Sequence, residues 1–321
     1  MYRIGVDLGG TNIAVGIVDE NAKLLIKEST PTLAQREADL IIKDMADLCI
    51  KLCEKLGIDI HTDVASVGVA SPGIADHNTG VVVYSCNLPF NDYPIAKKLS
   101  EFTGIENVHL ENDANAAAWG EAIAGAAKGT ANSLMITLGT GVGGGIIINN
   151  KVYSGFNCAG AEIGHFTMVS GGRKCGCGRR GCFEAYCSAT ALVNMTREKL
   201  EECEQSGRQT VMSDLVKKYG KVSGRTAFDA LRAGDKAGEE VVDSYLGYLA
   251  SGIASMINIF SPEVISIGGG ISGEGQFLLD RLAPLVKAEM TGSKRAKPTE
   301  LKVAALGNDA GIIGAATLGI K

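Results

Sequence analysis

Residues 158–188, CAGAEIGHFTMVSGGRKCGCGRRGCFEAYCS, gather side chains that bind metals. Cys175, Cys177 and Cys182 fall within eight residues, and His165 lies just upstream. Three thiols and one imidazole form the donor set that tetrahedral Zn²⁺ prefers. Four protein donors leave no open position for water or substrate, so the motif reads as a structural clamp. Lys174, Arg179 and Arg180 would help to keep the thiols ionised. Free loop thiols are one alternative, and an iron–sulfur cluster with Cys187 as fourth ligand is another. Glu162 and Glu184 flank the ligands. If one ring nitrogen of His165 binds metal, the other can donate to a hydroxyl. Two carboxylates and an imidazole beside a clamp suit the vicinal hydroxyls of a sugar, although a lone glutamate in a loop is usually a solvated charge.

Glycine turns supply a second chemistry. In DLGGTN, the backbone N–H groups of Gly9 and Gly10 can converge on an anion, and Thr11 adds a hydroxyl beside Asn12. Asp7, at the end of the preceding strand, is placed to act on a phosphate-bound Mg²⁺. The bland account is a tight hairpin. A second turn, GTGVGGG, follows at residues 139–145 and strengthens the phosphate reading. The usual P-loop pattern G-x-x-x-x-G-K-[ST] does not occur, which disfavours a P-loop kinase. In ENDANAAAWGE, Asn112 and Asp113 sit where a strand hands over to a helix. Either could be an N-cap. Together they offer an amide and a carboxylate to a polyol, and Asp113 could accept a hydroxyl proton during attack on a γ-phosphate.

These groups need a frame. RIGVDLGGTNIAVGIVD and LMITLGTGVGGGIIINN each read as strand, glycine turn, strand, a weak internal repeat. DVASVGVASPG reads as a buried strand, and IIKDMADLCIKLCEKLG as a helix whose apolar face includes Cys49 and Cys53. EEVVDSYLGYLASGIASMINIF reads as a long helix before the strand PEVISIGGGIS. Strands alternating with helices predict two α/β domains facing each other across a cleft, with a boundary near residue 115.

Composition agrees. Of 321 residues, 45% are apolar and 21% charged, as in soluble globular chains. The net charge is −5 and no basic block appears, so a nucleic-acid partner is not expected. No run is long and apolar enough for a membrane span, and YRIGVDLG does not look like a signal peptide, so the expected location is the cytoplasm. Nine cysteines, an odd number, argue against a disulfide framework.

At this point the motifs resemble a known family. DLGGTNIAVGIVD, GVASPGIAD, ENDANAAAWGE, LGTGVGGGIIINNKVYSG, AGAEIGHFTM, CGCGRRGCFEAYCSATAL, SIGGGIS and GNDAGIIGAA are similar to the ROK family of repressors, uncharacterised reading frames and sugar kinases, and most of all to its glucokinases. The combination of E-x-G-H with C-x-C-G-x-x-G-C-x-E is the specific part. The first glycine turn belongs to the wider hexokinase–actin–Hsp70 superfamily. The resemblance implies an α/β, two-domain ribonuclease-H-like (actin/hexokinase-type ATPase) fold, with the active site in the interdomain cleft. The smaller N-terminal domain would span residues 1–115 plus 305–321, and the larger, zinc-bearing domain residues 116–304. Asp113 would be the catalytic base. Asn112, Asp113, Glu162, His165 and Glu184 would hold the hexose, and His165, Cys175, Cys177 and Cys182 a structural Zn²⁺. Asp7, Gly9, Gly10, Thr11, Asn12, Thr140, Gly141, Val142, Gly143, Gly144 and Gly145 would hold the phosphates of ATP with Mg²⁺, and Gly269 and Gly270 would lie near its adenosine. A homodimer or homotetramer is expected. Only six residues precede Asp7, so the repressors' helix-turn-helix is not expected.

The implied activity is that of an ATP-dependent glucokinase. Kinases for N-acetylmannosamine, N-acetylglucosamine or fructose share nearly all of these motifs, and NLPFNDYPIAKKL favours the glucokinase pattern without excluding acetamido sugars. A non-catalytic sugar sensor would not need Asp113 and both glycine turns. A zinc hydrolase would need an open metal position.

Overall fold

The computed structural model describes residues 1–290 and 297–320. Residues 291–296, and Lys321 at the end of the expected N-terminal domain, lie outside the described residues. The chain opens with β1 (Tyr2–Leu8), β2 (Asn12–Val18), β3 (Leu24–Pro31), α1 (Ala38–Leu56) and β4 (Val64–Ser71). Then come β5 (Ile74–Asp76), β6 (Val81–Tyr84), β7 (Asn91–Tyr93), α2 (Ile95–Thr103), β8 (Val108–Asn112) and α3 (Asp113–Ala124). The middle holds β9 (Ser133–Leu138), β10 (Val142–Ile148), β11 (Lys151–Tyr153), α4 (Glu184–Cys187), α5 (Ala189–Ser206), α6 (Val211–Tyr219), α7 (Gly224–Arg232) and α8 (Lys236–Phe260). The chain closes with β12 (Val264–Gly268), α9 (Gln276–Glu289), β13 (Glu300–Val303) and α10 (Ala310–Ala316).

The repeat read from the sequence recurs in strand order. One five-stranded sheet runs β3-β2-β1-β4-β8 and another β11-β10-β9-β12-β13. In the first, β1 pairs antiparallel with β2 and parallel with β4, which in turn pairs parallel with β8. In the second, β10 pairs antiparallel with β11 and β12 parallel with β13. The strands β5, β6 and β7 form a small third sheet. These orders are those of the expected ribonuclease-H-like α/β fold.

Both faces of the first sheet are covered. Ile4, Val6, Leu8, Val67 and Val69 share a core with Ile41, Ile42, Met45, Cys49, Leu52 and Cys53 of α1, so the helix thiols are packing groups as the periodicity implied. Side chains alternate along a strand, so Gly5 and Gly68 face the other way. There they meet α10: a Cβ on Gly5 would overlap the carbonyl oxygen of Ile312, and one on Gly68 that of Ala315. Helix α3 meets α10 just as closely, because a Cβ on Gly314 would overlap the carbonyl oxygen of Ala116. Small residues let the backbones approach to contact. The C-terminal helix thus packs back on the N-terminal strands.

The entry and exit of α10 are tied to α3. Glu121 has no exposed surface. Its Oε2 accepts from Ala126 N–H at 2.6 Å and Ala305 N–H at 3.1 Å, and its Oε1 from Leu306 N–H at 2.8 Å. Trp119 Nε1 donates to the carbonyl of Thr317 at 3.1 Å. Two compact units result: unit 1 is Met1–Met135, Gly144–Ala161 and Ala304–Lys321, and unit 2 is Ile136–Gly143 and Glu162–Val303. This division differs from the one drawn at residues 115 and 304, because α3 is held to α10. Among the described residues no helix is long and apolar enough to cross a membrane.

Glu121 offers a test. Glu121→Ala strips three backbone amides of their buried acceptor, and is expected to cost roughly 2–4 kcal/mol. The urea midpoint should fall with little change in slope. Glu121→Gln, which keeps one acceptor oxygen, should lose less.

Candidate functional site

Unit 1 gathers Asp7, the first glycine turn and the β8–α3 junction. Asp7 pairs with Ala14 on β2 and Ala70 on β4, which puts it in the middle of the sheet at the carboxyl end of β1. Its carboxylate lies over Gly311 in the first turn of α10, where a Cβ would stand 2.6 Å from Oδ2. The turn that follows is fixed from outside. Thr32 Oγ1 donates to the carbonyl of Gly9 at 2.6 Å, Thr32 N–H to that of Thr11 at 2.9 Å, and Gly9 N–H to that of Asn12 at 2.9 Å. Gly10, Thr11 and Asn12 remain exposed.

At the junction, Asn112 is the helix cap. Its Oδ1 accepts from Ala114 N–H at 3.0 Å and Asn115 N–H at 3.2 Å, while its Nδ2 donates to the carbonyl of Gly73 at 3.1 Å. Asp113 is therefore relieved of the capping role. Its Oδ1 takes Ala114 N–H at 2.8 Å. Burial raises the Asp113 carboxyl above the ordinary aspartate range. Burial, and then the charge of Asp113, push the Asp7 carboxyl up to about 6. A desolvated Asp7 carboxylate under the charge of Asp113 is an electrostatic deficit that a divalent cation would relieve, so Asp7 fits the oxygen-ligand preference of Mg²⁺. Gly145 of β10 presses on the first turn of α3, where a Cβ would stand 2.9 Å from the Cα of Asn115. Gly144 is buried beside it on the same strand.

Unit 2 gathers the metal motif, the second glycine turn and Gly269–Gly270. One donor atom from each of His165, Cys175, Cys177 and Cys182 falls within 4.8 Å of all the others. Cys175 Sγ is 3.7 Å from His165 Nδ1, and Cys177 Sγ 3.7 Å from Cys182 Sγ. A tetrahedron with Zn–S near 2.3 Å has edges of about 3.8 Å, so the set fits zinc in both donor type and spacing. His165 turns Nδ1 to the thiols, which leaves Nε2 facing away from the set. The backbone N–H of Arg179 heads the causes that hold the Cys177 thiol below its ordinary value. Cys187 is outside this set, buried, and pushed far up by burial, as a packed thiol should be.

Glu184 links the motif to the turn. Its Oε1 lies 3.2 Å from Cys175 Sγ, and its Oε2 accepts from Val142 N–H at 3.0 Å. Gly141 makes room, since a Cβ there would overlap Glu184 Oε2. The N-terminus of α5 holds the same turn: Ala189 N–H donates to the carbonyl of Gly139 at 2.8 Å and Thr190 Oγ1 to that of Thr140 at 2.7 Å. Gly269, at a φ of 82°, abuts the backbone of Leu138 at the end of β9, with Gly270 exposed beside it. Glu162 is exposed and its carbonyl accepts from His165 N–H at 3.0 Å. Thr140 is exposed, and Gly143 half-buried, on either side of the Val142 amide.

The sequence reading overlooked Glu111, which is buried directly before the capping pair. The signal available was a glutamate in the strand segment VHLEN, where a buried position ordinarily takes an apolar residue.

The ROK family model matches residues 3–321. A glucokinase of Halalkalibacterium halodurans is 36% identical over 314 residues, covering 98% of this chain and 93% of that protein. An N-acetyl-D-glucosamine kinase of Aliivibrio salmonicida is 30% identical, covering 99% of both. Among solved structures, a ROK family glucokinase from Streptomyces griseus, in complex with glucose and AMPPNP, superposes with a TM-score of 0.79 at 33% identity, covering 99% of both chains.

Asp7 tests the electrostatics. Its folded value of about 6 exceeds its ordinary 3.8. The native state therefore holds the proton more tightly, and this contribution to stability is complete below the unfolded value and lost as pH rises through about 6. Asp7→Asn is expected to remove that pH dependence and to raise the melting temperature at neutral pH, as followed by circular dichroism from pH 4 to 8.

Proposed function

The chain belongs to the ROK family, and on that footing we propose that it is an ATP-dependent hexose kinase, a glucokinase that transfers the γ-phosphate of ATP to the 6-hydroxyl of glucose. The observation that carries this reading is Asp113. Its carboxylate is released from capping by Asn112, and burial has raised its proton affinity. Such a group takes up a proton more readily than an ordinary aspartate.

In the proposed step the sugar 6-oxygen attacks the γ-phosphorus and its proton passes to Asp113. The bond from the γ-phosphorus to the β,γ-bridging oxygen breaks, and ADP leaves with the electron pair. Asn112, Glu162, His165 and Glu184 hold the other hydroxyls. The Gly9–Asn12 turn and residues 140–145 present backbone N–H groups to the phosphates, with Gly269 and Gly270 beside the nucleoside. Asp7 would hold Mg²⁺, which neutralises phosphate charge when bound. Positioning and preset electrostatics supply most of the rate. The Cys/His set is proposed to hold a structural Zn²⁺, which closes the loop carrying His165 and Glu184. The chain is proposed to work in the cytoplasm as a homodimer or homotetramer, on the family resemblance.

Two experiments test this reading. ADP release with Mg·ATP is expected to be strongest on glucose in a panel with mannose, fructose, N-acetylglucosamine and N-acetylmannosamine. Asp113→Ala should lower kcat by about 10³-fold or more. A preference for an acetamido sugar would move the protein to amino-sugar chemistry with the mechanism intact, and no sugar-dependent turnover would end the kinase reading. Elemental analysis should find one zinc per chain. Cys177→Ser should lose it and melt roughly 5 °C lower or more, because metal binding is coupled to folding.

A further inference from the structure

Glu111 is 4% exposed, and the reading above gives it no task. Its Oε1 accepts from Asn112 N–H at 2.9 Å and from Asn115 Nδ2 at 3.0 Å. One oxygen thus bridges the last residue of β8 and the first turn of α3, on either side of Asp113. Asn115 is itself buried, and its Oδ1 finds no donor among the described residues. Its side-chain amide is therefore oriented by the bond to Glu111. The second oxygen, Oε2, faces His77 Nδ1 at 3.6 Å. Ser154 Oγ, at 3.5 Å, and Cys158 Sγ, at 3.6 Å, face the same nitrogen.

Packing alone does not hold this carboxylate. Glu111 borders a cavity of about 260 Å³ in unit 1, lined also by His77, His109, Trp119 and Lys151. A side chain beside open volume keeps its place through its hydrogen bonds, and burying a carboxylate is costly unless those bonds are made. A position that served only to complete the sheet would be better filled by an apolar group.

We propose that Glu111 is a positioning residue for Asp113. It pins the β8–α3 junction by accepting two hydrogen bonds on one oxygen, and it acts through that acceptor rather than through its charge. The inference rests on the reading of Asp113 as the base. Displacing a catalytic group by about 1 Å can cost on the order of 10²-fold in rate, so the junction is where such precision is needed.

The test is steady-state kinetics on the preferred sugar with Glu111→Gln and Glu111→Ala. The glutamine retains an acceptor oxygen for Asn112 and Asn115 and can turn its amide towards His77. It is expected to keep kcat and both KM values within about threefold of the parent. The alanine is expected to lose about 10²-fold in kcat while the KM for Mg·ATP changes by less than about twofold, a split that general loosening of the fold would not give. Parent-like kcat in Glu111→Ala would overturn the proposal, and so would a loss in Glu111→Gln equal to that in the alanine. If Glu111→Ala gives no cooperative melt, Glu111→Asp takes its place: it keeps the charge but is one methylene short. A kcat at least tenfold down supports the proposal and an unchanged kcat overturns it. A parent protein without turnover on any sugar would overturn the base assignment as well, whereas an active parent with indifferent variants overturns this inference alone.

Discussion

Helix α10 must lie directly on the backbone of β1 and β4, and much of unit 1 follows from that contact. No side chain fits between helix and sheet at Gly5 and Gly68, or between helices at Gly314. Close packing of main chains gives dispersion contact over a long line, but it leaves no slack. The approach to α10 therefore has to be fixed, and Glu121 fixes it by taking the amides of Ala305 and Leu306. The far end is held by Trp119 on Thr317. The same closeness sets Gly311 over Asp7, so that carboxylate rests against the C-terminal helix.

A second consequence is the company of acids in unit 1. Asp7, Glu111 and Asp113 are all raised by burial, and Glu121 is fully enclosed. They are managed in two ways. Glu121 accepts from three backbone N–H groups and Glu111 from two N–H groups on one oxygen, so both act as buried acceptors. The charge of Asp113 raises the proton affinity of Asp7, and under the proposed function the two would serve a cation and a proton. The two pairs differ in donors and in depth: Glu111 and Glu121 are buried and held by N–H groups, whereas Asp7 and Asp113 are half-buried.

Much of this was legible in the sequence, for physical reasons. The two glycine turns, the ENDAN junction and the spaced cysteines are local patterns, and local geometry follows from local sequence. The buried face of α1 could be read from its 3.6-residue period, and the central strands from their unbroken apolar runs. What stayed hidden depends on partners distant in the chain. Glu121 looks like a solvated helix residue until residues 305 and 306 arrive beside it. The hold of Glu184 on Val142 spans 42 positions. The unit boundary was also out of reach, because α3 is assigned by its contact with a helix almost two hundred residues later.

The metal motif makes sense in the same terms. None of residues 166–180 is buried, so this segment has almost no core of its own. Burial of apolar area cannot hold such a loop, and in small, core-poor segments a metal or a disulfide usually takes over. Phe166 stacked on Phe183 anchors one edge, with ring centroids 5.0 Å apart. Backbone bonds carry further order, such as Gly181 N–H to the carbonyl of Arg173 at 2.8 Å and Cys175 N–H to that of Arg179 at 2.9 Å, and a metal on His165 and the three thiols would add to it. Glu184 then extends that order to the second glycine turn through Val142, with Gly141 leaving space for the carboxylate. The Cys/His set, Glu184 and the second glycine turn are therefore joined as one block.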